Sequence, residues 1–172
     1  MLVRDATTED ATAIGHVRTR TWQAAYAHIF PPEQLESLTA ESVVERWRRA
    51  IAEPWSHMHT LVAEVGGVVS GFASLGAAWD EAEAVTGELF SIYVLPEASG
   101  RGLGRALMAE TLARLRAEGF AQAILWVFED NPRTRRFYEL CGWQLDGGVK
   151  DEEWLGTTAR ELRYRIALEP AP

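Results

Sequence analysis

The chain has 172 residues, 47% of them hydrophobic and 24% charged, a composition that predicts one globular domain spanning residues 1–172. Its net charge of −8 at pH 7 argues against nucleic-acid binding, which needs a basic surface. No apolar run approaches the ~20 residues of a membrane span, and the N-terminus shows no signal-peptide pattern. The single cysteine excludes an internal disulfide. We therefore expect a cytoplasmic protein without a membrane partner.

Hydrophobic periodicity and turn residues predict the element order β-α-α-β-β-β-α-β-α-β-β. The predicted strands are Leu2–Arg4, 59–65, 68–75, 88–94, 123–128, a strand beginning at 142–145 and a last strand at 161–168. The first two predicted helical regions run from a capping box at Thr7 toward Tyr26, and, after Pro31–Pro32, from Leu35 past Ile51. The other two helices run from Leu103 to near Gly119 and from Asn131–Pro132 onward. Gly66-Gly67 indicates a hairpin between two of these strands. The order predicts a mixed α/β fold.

A glycine-rich segment is the most informative part of the sequence. Ser99-Gly100-Arg101-Gly102-Leu103-Gly104-Arg105 follows the strand at 88–94 and leads into an amphipathic helix. Glycines carry no Cβ, so several backbone N–H groups can approach one point, and the positive end of the helix dipole is directed at the same point. The segment predicts a binding site for an anion, most readily a phosphate. A plain strand–turn–helix connection is the alternative interpretation.

The spacing of these glycines excludes two common nucleotide motifs. A Walker loop requires Gly-Lys followed by Ser or Thr, and the only lysine of the chain is Lys150. A dinucleotide fingerprint requires Gly-x-Gly-x-x-Gly in an early βαβ unit, which this chain does not have. The phosphate must therefore belong to a different ligand.

A second motif follows the next predicted strand. It reads Asn131-Pro132-Arg133-Thr134-Arg135-Arg136-Phe137-Tyr138, with Gly142-Trp143 after it. Together with the glycine segment and the element order, it resembles the GNAT superfamily of acyl-CoA-dependent N-acyltransferases over nearly the whole chain. The sequence departs from that family at Ser99, a usual Gln or Arg, and at Thr134, a usual Ala. The resemblance implies a central, mostly antiparallel mixed sheet of about seven strands with helices on both faces.

The resemblance also implies acetyl-CoA as the cosubstrate. The backbone of Ile92, Tyr93 and Val94 would pair with the amides of the pantetheine arm, and Asn131 would contact or order that arm. The residues implied to hold the pyrophosphate are Ser99, Gly100, Arg101, Gly102, Leu103, Gly104, Arg105 and Ala106, with Arg135 as a further cofactor contact. A strand edge and an anion site would suit the two halves of coenzyme A.

Two residues are implied to carry the chemistry. Glu88 aligns with the catalytic glutamate of several family members, and a glutamate opening an otherwise apolar strand is against β-propensity. Its ordinary pKa of about 4.3 lies about six units below that of an alkylamine, so a base at Glu88 needs a raised pKa or a relaying water. Tyr138 would stand near the thioester sulfur as the general acid, and a backbone N–H near Val94 would stabilise the oxyanion. A solvent-facing or arginine-paired glutamate and an ordinary core tyrosine are the alternatives.

The acceptor is expected to be a primary amine on a small molecule or peptide, attacked directly in a ternary complex. Acids gather in two predicted loops, which favours a cationic acceptor; solvated surface is the alternative reading. These acids are Asp80, Glu81, Glu83 and Glu88, and then Asp151, Glu152 and Glu153. The residues predicted to line the acceptor groove are Trp22, Tyr26, Trp79 and Trp154, with burial in the core as their alternative.

Other functions stay open at this stage. A non-catalytic acyl-CoA sensor or scaffold is the main alternative, although the presence of both Glu88 and Tyr138 favours an enzyme. A different acyl donor or an O-acyl acceptor is the third possible function.

Cys141 has no histidine near it in sequence, so a small buried hydrophobe is favoured over an acyl-cysteine. His57 and His59 lack an evident third ligand, so we expect no metal. A homodimer, common in the family, is allowed but not indicated by any interface pattern.

Overall fold

Seven strands form one sheet in the order β1-β2-β3-β4-β5-β7-β6 in this computed structural model, which describes residues 1–54, 58–79 and 85–168. The strands are β1 (Leu2–Asp5), β2 (His59–Val65), β3 (Val68–Ala77), β4 (Thr86–Val94), β5 (Gln122–Phe128), β6 (Gln144–Trp154) and β7 (Thr157–Ala167). All neighbouring strands run antiparallel except β4 and β5, which run parallel. The predicted mixed, mostly antiparallel sheet is confirmed.

Helices cover both faces of this sheet. They are α1 (Ala11–Ala25), α2 (Pro32–Glu36), α3 (Glu41–Ala52), α4 (Leu103–Ala117) and α5 (Pro132–Leu140). A Cβ on Gly71 of β3 would lie 3.2 Å from Leu107 of α4, whereas the ring of the next residue, Phe72, packs 5.1 Å from Trp47 of α3. Successive side chains of a strand point to opposite faces, so α4 and α3 lie on opposite sides of the sheet.

An aromatic cluster forms a second core beside the main one. Its members are Trp22, Tyr26, Phe30 and Phe128, with Trp154 packed against them. The Trp22 ring lies 4.9 Å from Tyr26 edge-on and 5.9 Å from Phe30 in a stacked arrangement. These rings join α1 and its following loop to the carboxyl end of β5.

Two predicted segments differ from the structure. The second helical region is two helices. Ser37 Oγ donates to the Gln34 carbonyl at the end of α2, and Ser42 Oγ donates to the Thr39 carbonyl at the start of α3, which are local bonds that compete with a continuous helix. The acids at 151–153 lie on β6 rather than in a loop. Cross-strand pairs hold this charged stretch in the sheet: Asp151 Oδ1 accepts from Arg160 Nε at 2.9 Å. The acids Asp80, Glu81 and Glu83, and His57, lie outside the described residues.

Within the described ranges, none of the helices is long and apolar enough to cross a membrane.

An arginine at the sheet edge fastens the start of α1. Arg4 of β1 donates two hydrogen bonds to Asp10, at 2.7 and 2.9 Å, and also pairs with Glu64 of β2. The Thr7 backbone N–H donates to Asp10 Oδ2 at 2.7 Å. The hydrogen bond from Arg4 is the main cause that lowers the pKa of Asp10 below its ordinary value, although burial opposes it.

We therefore expect Asp10→Asn to destabilise the fold in a pH-dependent way. The Asn amide keeps one oxygen for the Thr7 N–H, but it lacks the charge and the second acceptor oxygen that Arg4 uses. A lowered folded-state pKa adds stability above the unfolded pKa of about 3.9, and this stability is lost as the pH falls through the folded value. Urea unfolding should show a loss of about 2 kcal/mol at neutral pH that shrinks in acid. Glu9→Gln, on an exposed neighbour, is the control, and equal midpoints at neutral pH would contradict the expectation.

Candidate active site

A bulge in β4 opens the sheet at its centre. Among the described residues, β4 pairs with β5 only over Thr86–Leu89. At Phe90 the register between β3 and β4 shifts by one residue, and an extra residue of this kind bends a strand and ends its pairing. The segment Phe90–Val94 therefore borders a gap on the side where β5 would continue the sheet.

The backbone of β4 directs polar groups into this gap. The Tyr93 carbonyl oxygen lies only 2.9 Å from the position of a Cβ on Gly71, so the Tyr93 backbone faces β3. Backbone groups of successive strand residues face opposite edges, so those of Ile92 and Val94 face the gap. The Val94 carbonyl accepts a bond from Thr21 Oγ1 at 3.2 Å.

The gap widens into a cleft of about 1600 Å³ that collects most of the predicted site. The predicted residues that line it are Glu88, Tyr138, Ile92, Tyr93, Val94, Ser99, Gly100, Gly102, Leu103, Gly104, Arg105, Asn131, Trp22, Tyr26 and Trp154. Four predicted residues are not part of its lining, namely Arg101, Ala106, Arg135 and Trp79.

The glycine loop forms one end of the cleft. Gly100 and Gly102 have φ angles of +78° and +86°, which other residues rarely adopt. The N–H groups of Leu103–Arg105 have no acceptor within α4, because the first turn of a helix leaves its donors free. The Ala106 N–H already donates to the Gly102 carbonyl at 3.0 Å. The loop therefore presents the backbone donors of Leu103–Arg105 at one end of the cleft, and Ala106 has no free backbone donor to add.

Arg133, rather than Arg135, joins this end of the cleft. Its Nη2 donates to Ser99 Oγ at 3.0 Å. Arg135 instead donates to the Tyr164 hydroxyl at 3.3 Å and to the Glu129 carbonyl at 3.1 Å. Positions two apart on a helix are about 200° apart around its axis, which puts the two arginines on different sides of α5. Through these two hydrogen bonds, Arg135 links the connection between β5 and α5 to β7.

Asn131 shapes the other loop at this end. Its Oδ1 accepts a hydrogen bond from the Thr134 N–H at 3.2 Å, and Pro132 occupies the first helical position. Parallel strands place their carboxyl ends at the same edge of a sheet, so the turns after β4 and β5 lie side by side. The helix cap at Asn131 thus orders the wall of the cleft opposite the glycine loop.

Tyr138 lies two turns beyond Asn131 and is only 6% exposed. Its ring packs 5.6 Å from Phe137 and 6.5 Å from Trp143. Burial is the main cause that raises the pKa of Tyr138 well above its ordinary value, with a further contribution from Tyr93. Tyr138 is therefore a neutral phenol that keeps its proton at physiological pH.

Glu88 faces the opposite side of the sheet from α4. A Cβ on Gly87 would lie 2.8 Å from Leu115 of α4, so the next side chain, Glu88, points to the α1 side. It is half-buried and lines the cleft. The carboxylate thus stands on the face where the aromatic cluster closes the cleft.

Three of the four predicted acceptor-groove residues form one wall. Trp22 donates from Nε1 to the Tyr93 hydroxyl at 3.1 Å, and the Trp154 ring lies 5.6 Å from Trp22. Trp79 is 61% exposed, and its ring lies 6.0 Å from Phe90 at the cleft margin. The aromatic cluster therefore supplies the wall, and Trp79 lies outside it.

The sequence analysis missed a charged group in the cleft. Glu161 of β7 is 6% exposed, and Lys150 Nζ lies 3.3 Å from its Oε2 and 3.0 Å from Glu152. Burial raises the pKa of Glu161, and Lys150 lowers it in part. β7 also carries Arg160, Arg163 and Arg165, so Glu161 does not stand out in its strand as Glu88 does, and its pairing with Lys150 depends on the register of β6 and β7.

Across the part of the chain that the structure describes, no three His, Cys, Asp or Glu side chains are grouped as a metal site.

Known proteins share sequence similarity and fold with this chain. The model of the Acetyltransferase (GNAT) family matches residues 19–143. The uncharacterized N-acetyltransferase YuaI of Bacillus subtilis is 37% identical over 131 residues, which are 76% of this chain and 73% of that protein. A mycothiol acetyltransferase of Thermobispora bispora is 37% identical over 133 residues, which are 73% of this chain but only 43% of that protein.

A solved structure shares the fold. The PaiA N-acetyltransferase of Thermoplasma acidophilum, in complex with coenzyme A, superposes with a TM-score of 0.74 and 20% identity, covering 96% of this chain and 98% of that one. At this identity the likeness is one of fold, and it agrees with the element order expected from the sequence.

The cap at Asn131 gives a prediction for stability. Asn131→Ala should lower the free energy of unfolding by about 1 kcal/mol, because the Thr134 N–H loses its acceptor. Asn131→Asp keeps a capping oxygen and should stay close to the original stability. Urea unfolding of the three proteins checks this, and an Ala variant as stable as the parent would contradict a capping role.

Proposed function

Because the chain belongs to the acetyltransferase (GNAT) family, we propose that it transfers an acetyl group to a primary amine of a small molecule or peptide. The chain is an acyl-CoA-dependent N-acetyltransferase, and acetyl-CoA is its cosubstrate. The observation that carries the proposal is the gap between β4 and β5, with an anion site at one end and Glu88 and Tyr138 in its lining.

The residues of the gap fit the donor. The free N–H groups of Leu103–Arg105 suit a pyrophosphate, with Arg105 and Arg133 adding positive charge. The backbone groups of Ile92 and Val94 suit the amides of the pantetheine arm, as a neighbouring strand would. Ser91 Oγ, buried in the cleft, has no hydrogen-bond partner within the described part of the chain, which favours a polar ligand here.

Glu88 is the proposed general base. The acceptor nitrogen must lose a proton before its lone pair can attack the acetyl carbon, and Glu88 lies on the α1 side, where the aromatic cluster bounds the cleft. The carboxylate takes that proton directly or through a water, while a backbone N–H near Val94 stabilises the charge that develops on the carbonyl oxygen.

Tyr138 is the proposed general acid. When the bond between the acetyl carbon and the sulfur breaks, the thiolate needs a proton. Burial keeps the Tyr138 phenol protonated until then, and the same dry surroundings raise the proton affinity of the thiolate. The raised pKa also makes the phenol a weaker acid, so the transfer depends on this rise in the proton affinity of the thiolate.

The charge of the cleft favours a cationic acceptor. Arg105 and Arg133 lie at the glycine loop. The other charged residues of the lining are five carboxylates and one ammonium, namely Glu88, Glu129, Asp130, Glu152, Glu161 and Lys150. A cleft with an excess of one sign concentrates ligands of the other sign. The aromatic cluster adds ring faces that attract ammonium groups.

We expect Tyr138→Phe to slow the chemical step by about 10²- to 10⁴-fold, because the thiolate loses its proton donor. Release of CoA, measured in single turnovers against a panel of cationic amines, amino acids and peptides, checks this. Binding of acetyl-CoA should stay within about threefold, because the ring is kept. A variant as fast as the parent would contradict the assignment. Tight acetyl-CoA binding without turnover across the panel would favour a sensor or scaffold.

We expect Glu88→Gln to slow turnover by about 10²-fold and to change its pH dependence. The parent rate should level off once Glu88 is ionised. The variant rate should keep rising with pH, because it depends on the free fraction of an amine whose ordinary pKa is about 10.4. The pH profile of the turnover number measures this, and a variant with an unchanged plateau would exclude Glu88 as the base.

A further inference from the structure

Glu161 and Glu88 lie on one side of the sheet, separated along β5. Glu88 stands beside Ile124, and Glu161 stands beside Phe128. These two positions are four residues apart, or about 13 Å along the strand. Between them, Lys150 Nζ lies 4.6 Å from the centroid of the Trp126 ring. All of these residues except Ile124 line the same cleft.

Glu161 is a buried carboxylate with unused bonding capacity. It is 6% exposed, and its Oε2 makes no well-formed hydrogen bond within the described residues. The contact with Lys150, at 3.3 Å, is longer than the 2.7–2.9 Å typical of a charge-assisted bond. Glu152, at 3.0 Å, is the closer partner of that lysine. A buried carboxylate of this kind is costly unless a cation completes it.

A ligand ammonium could pair with Glu161 without leaving any charge unpaired. Lys150 would keep its contact with Glu152 and with the Trp126 ring. The aromatic cluster and Trp154 lie beside this position, and their ring faces attract cations. Trp154 Nε1 is also buried without a partner among the described residues, which marks this end of the cleft as incomplete in polar contacts.

We propose that Glu161 binds a second cationic group of the acceptor, so that preferred acceptors carry two ammonium groups. One of them is acetylated near Glu88, and the other is held at Glu161 as a specificity contact. This inference rests on the proposed function, because it assumes an amine acceptor at Glu88.

The test compares α,ω-diamines, from diaminopropane to diaminodecane, with the n-alkylamine of the same chain length. The parent protein should use the longer diamines at least tenfold more efficiently, measured as kcat/KM, than the matched monoamines. Glu161→Gln should abolish that preference by raising the KM for diamines, while the values for monoamines change less than twofold. Glu153→Gln is the matched control, since Glu153 is an exposed carboxylate of β6 that is not part of the cleft lining, and it should keep the preference.

Several outcomes would overturn the inference. Equal efficiency for diamines and monoamines in the parent does so without any variant, as does a preference that survives Glu161→Gln. If the parent acetylates monoamines but shows no such preference, only this inference fails. If no amine is acetylated, the proposed function fails. Calorimetry then tests the role of Glu161 separately, by measuring the binding of diaminooctane and octylamine to the CoA-loaded protein. Tighter binding of the diamine that is lost in Glu161→Gln supports the inference. Equal binding of the two amines to the parent protein overturns it.

Discussion

The parting of β4 and β5 is the constraint on which the rest of the site depends. Two parallel strands at the centre of a sheet would normally stay paired along their length and satisfy each other's backbone groups. The extra residue at Phe90 ends that pairing after Leu89. The backbone polar groups of Ile92 and Val94 then face the gap, where the Val94 carbonyl also accepts a bond from Thr21. The sheet itself thereby provides an extended binding surface in the middle of the fold.

The parallel direction of these two strands also brings the two loops together. The glycine loop and the cap at Asn131 both follow carboxyl strand ends, so the starts of α4 and α5 converge on one end of the gap. Positive helix ends and two arginines collect there, beside Glu129 and Asp130, whereas Glu88, Glu152 and Glu161 lie along the rest of the cleft. In the proposed reaction, a polyanionic donor and a cationic acceptor would therefore approach from different parts of one cleft.

Burial gives the two sides of the sheet different chemistry. Tyr138, packed against Phe137 and Trp143, keeps its proton because its charged form is poorly solvated. Burial raises the pKa of Glu161, on the side of the aromatic cluster, and the neighbouring Lys150 lowers it in part. The pKa of each group thus depends on neighbours that come from other strands or helices.

Much of this could be predicted from local sequence. Gly100, Gly102, Gly66 and Gly67 have the positive φ angles that their positions in turns require, and Asn131 caps α5 as its spacing with Pro132 suggested. Within each of the two motifs, the residues that line the cleft are close together in sequence. Local patterns succeeded here because turns, caps and helix starts depend on the residues within a few positions.

What needed the tertiary structure depends on pairing between distant segments. Arg133 rather than Arg135 faces the cleft because of the rotation of α5 against the sheet, and Trp79 lies outside the acceptor wall although three other aromatic residues form it. Glu161 meets Lys150 only through the register of β6 and β7. By itself the sequence determined the family and the element order except for the division between α2 and α3, and it predicted an anion site at the glycine loop. Only the tertiary structure decided which charges meet in the cleft, because strand register and helix rotation are set by packing across the whole core.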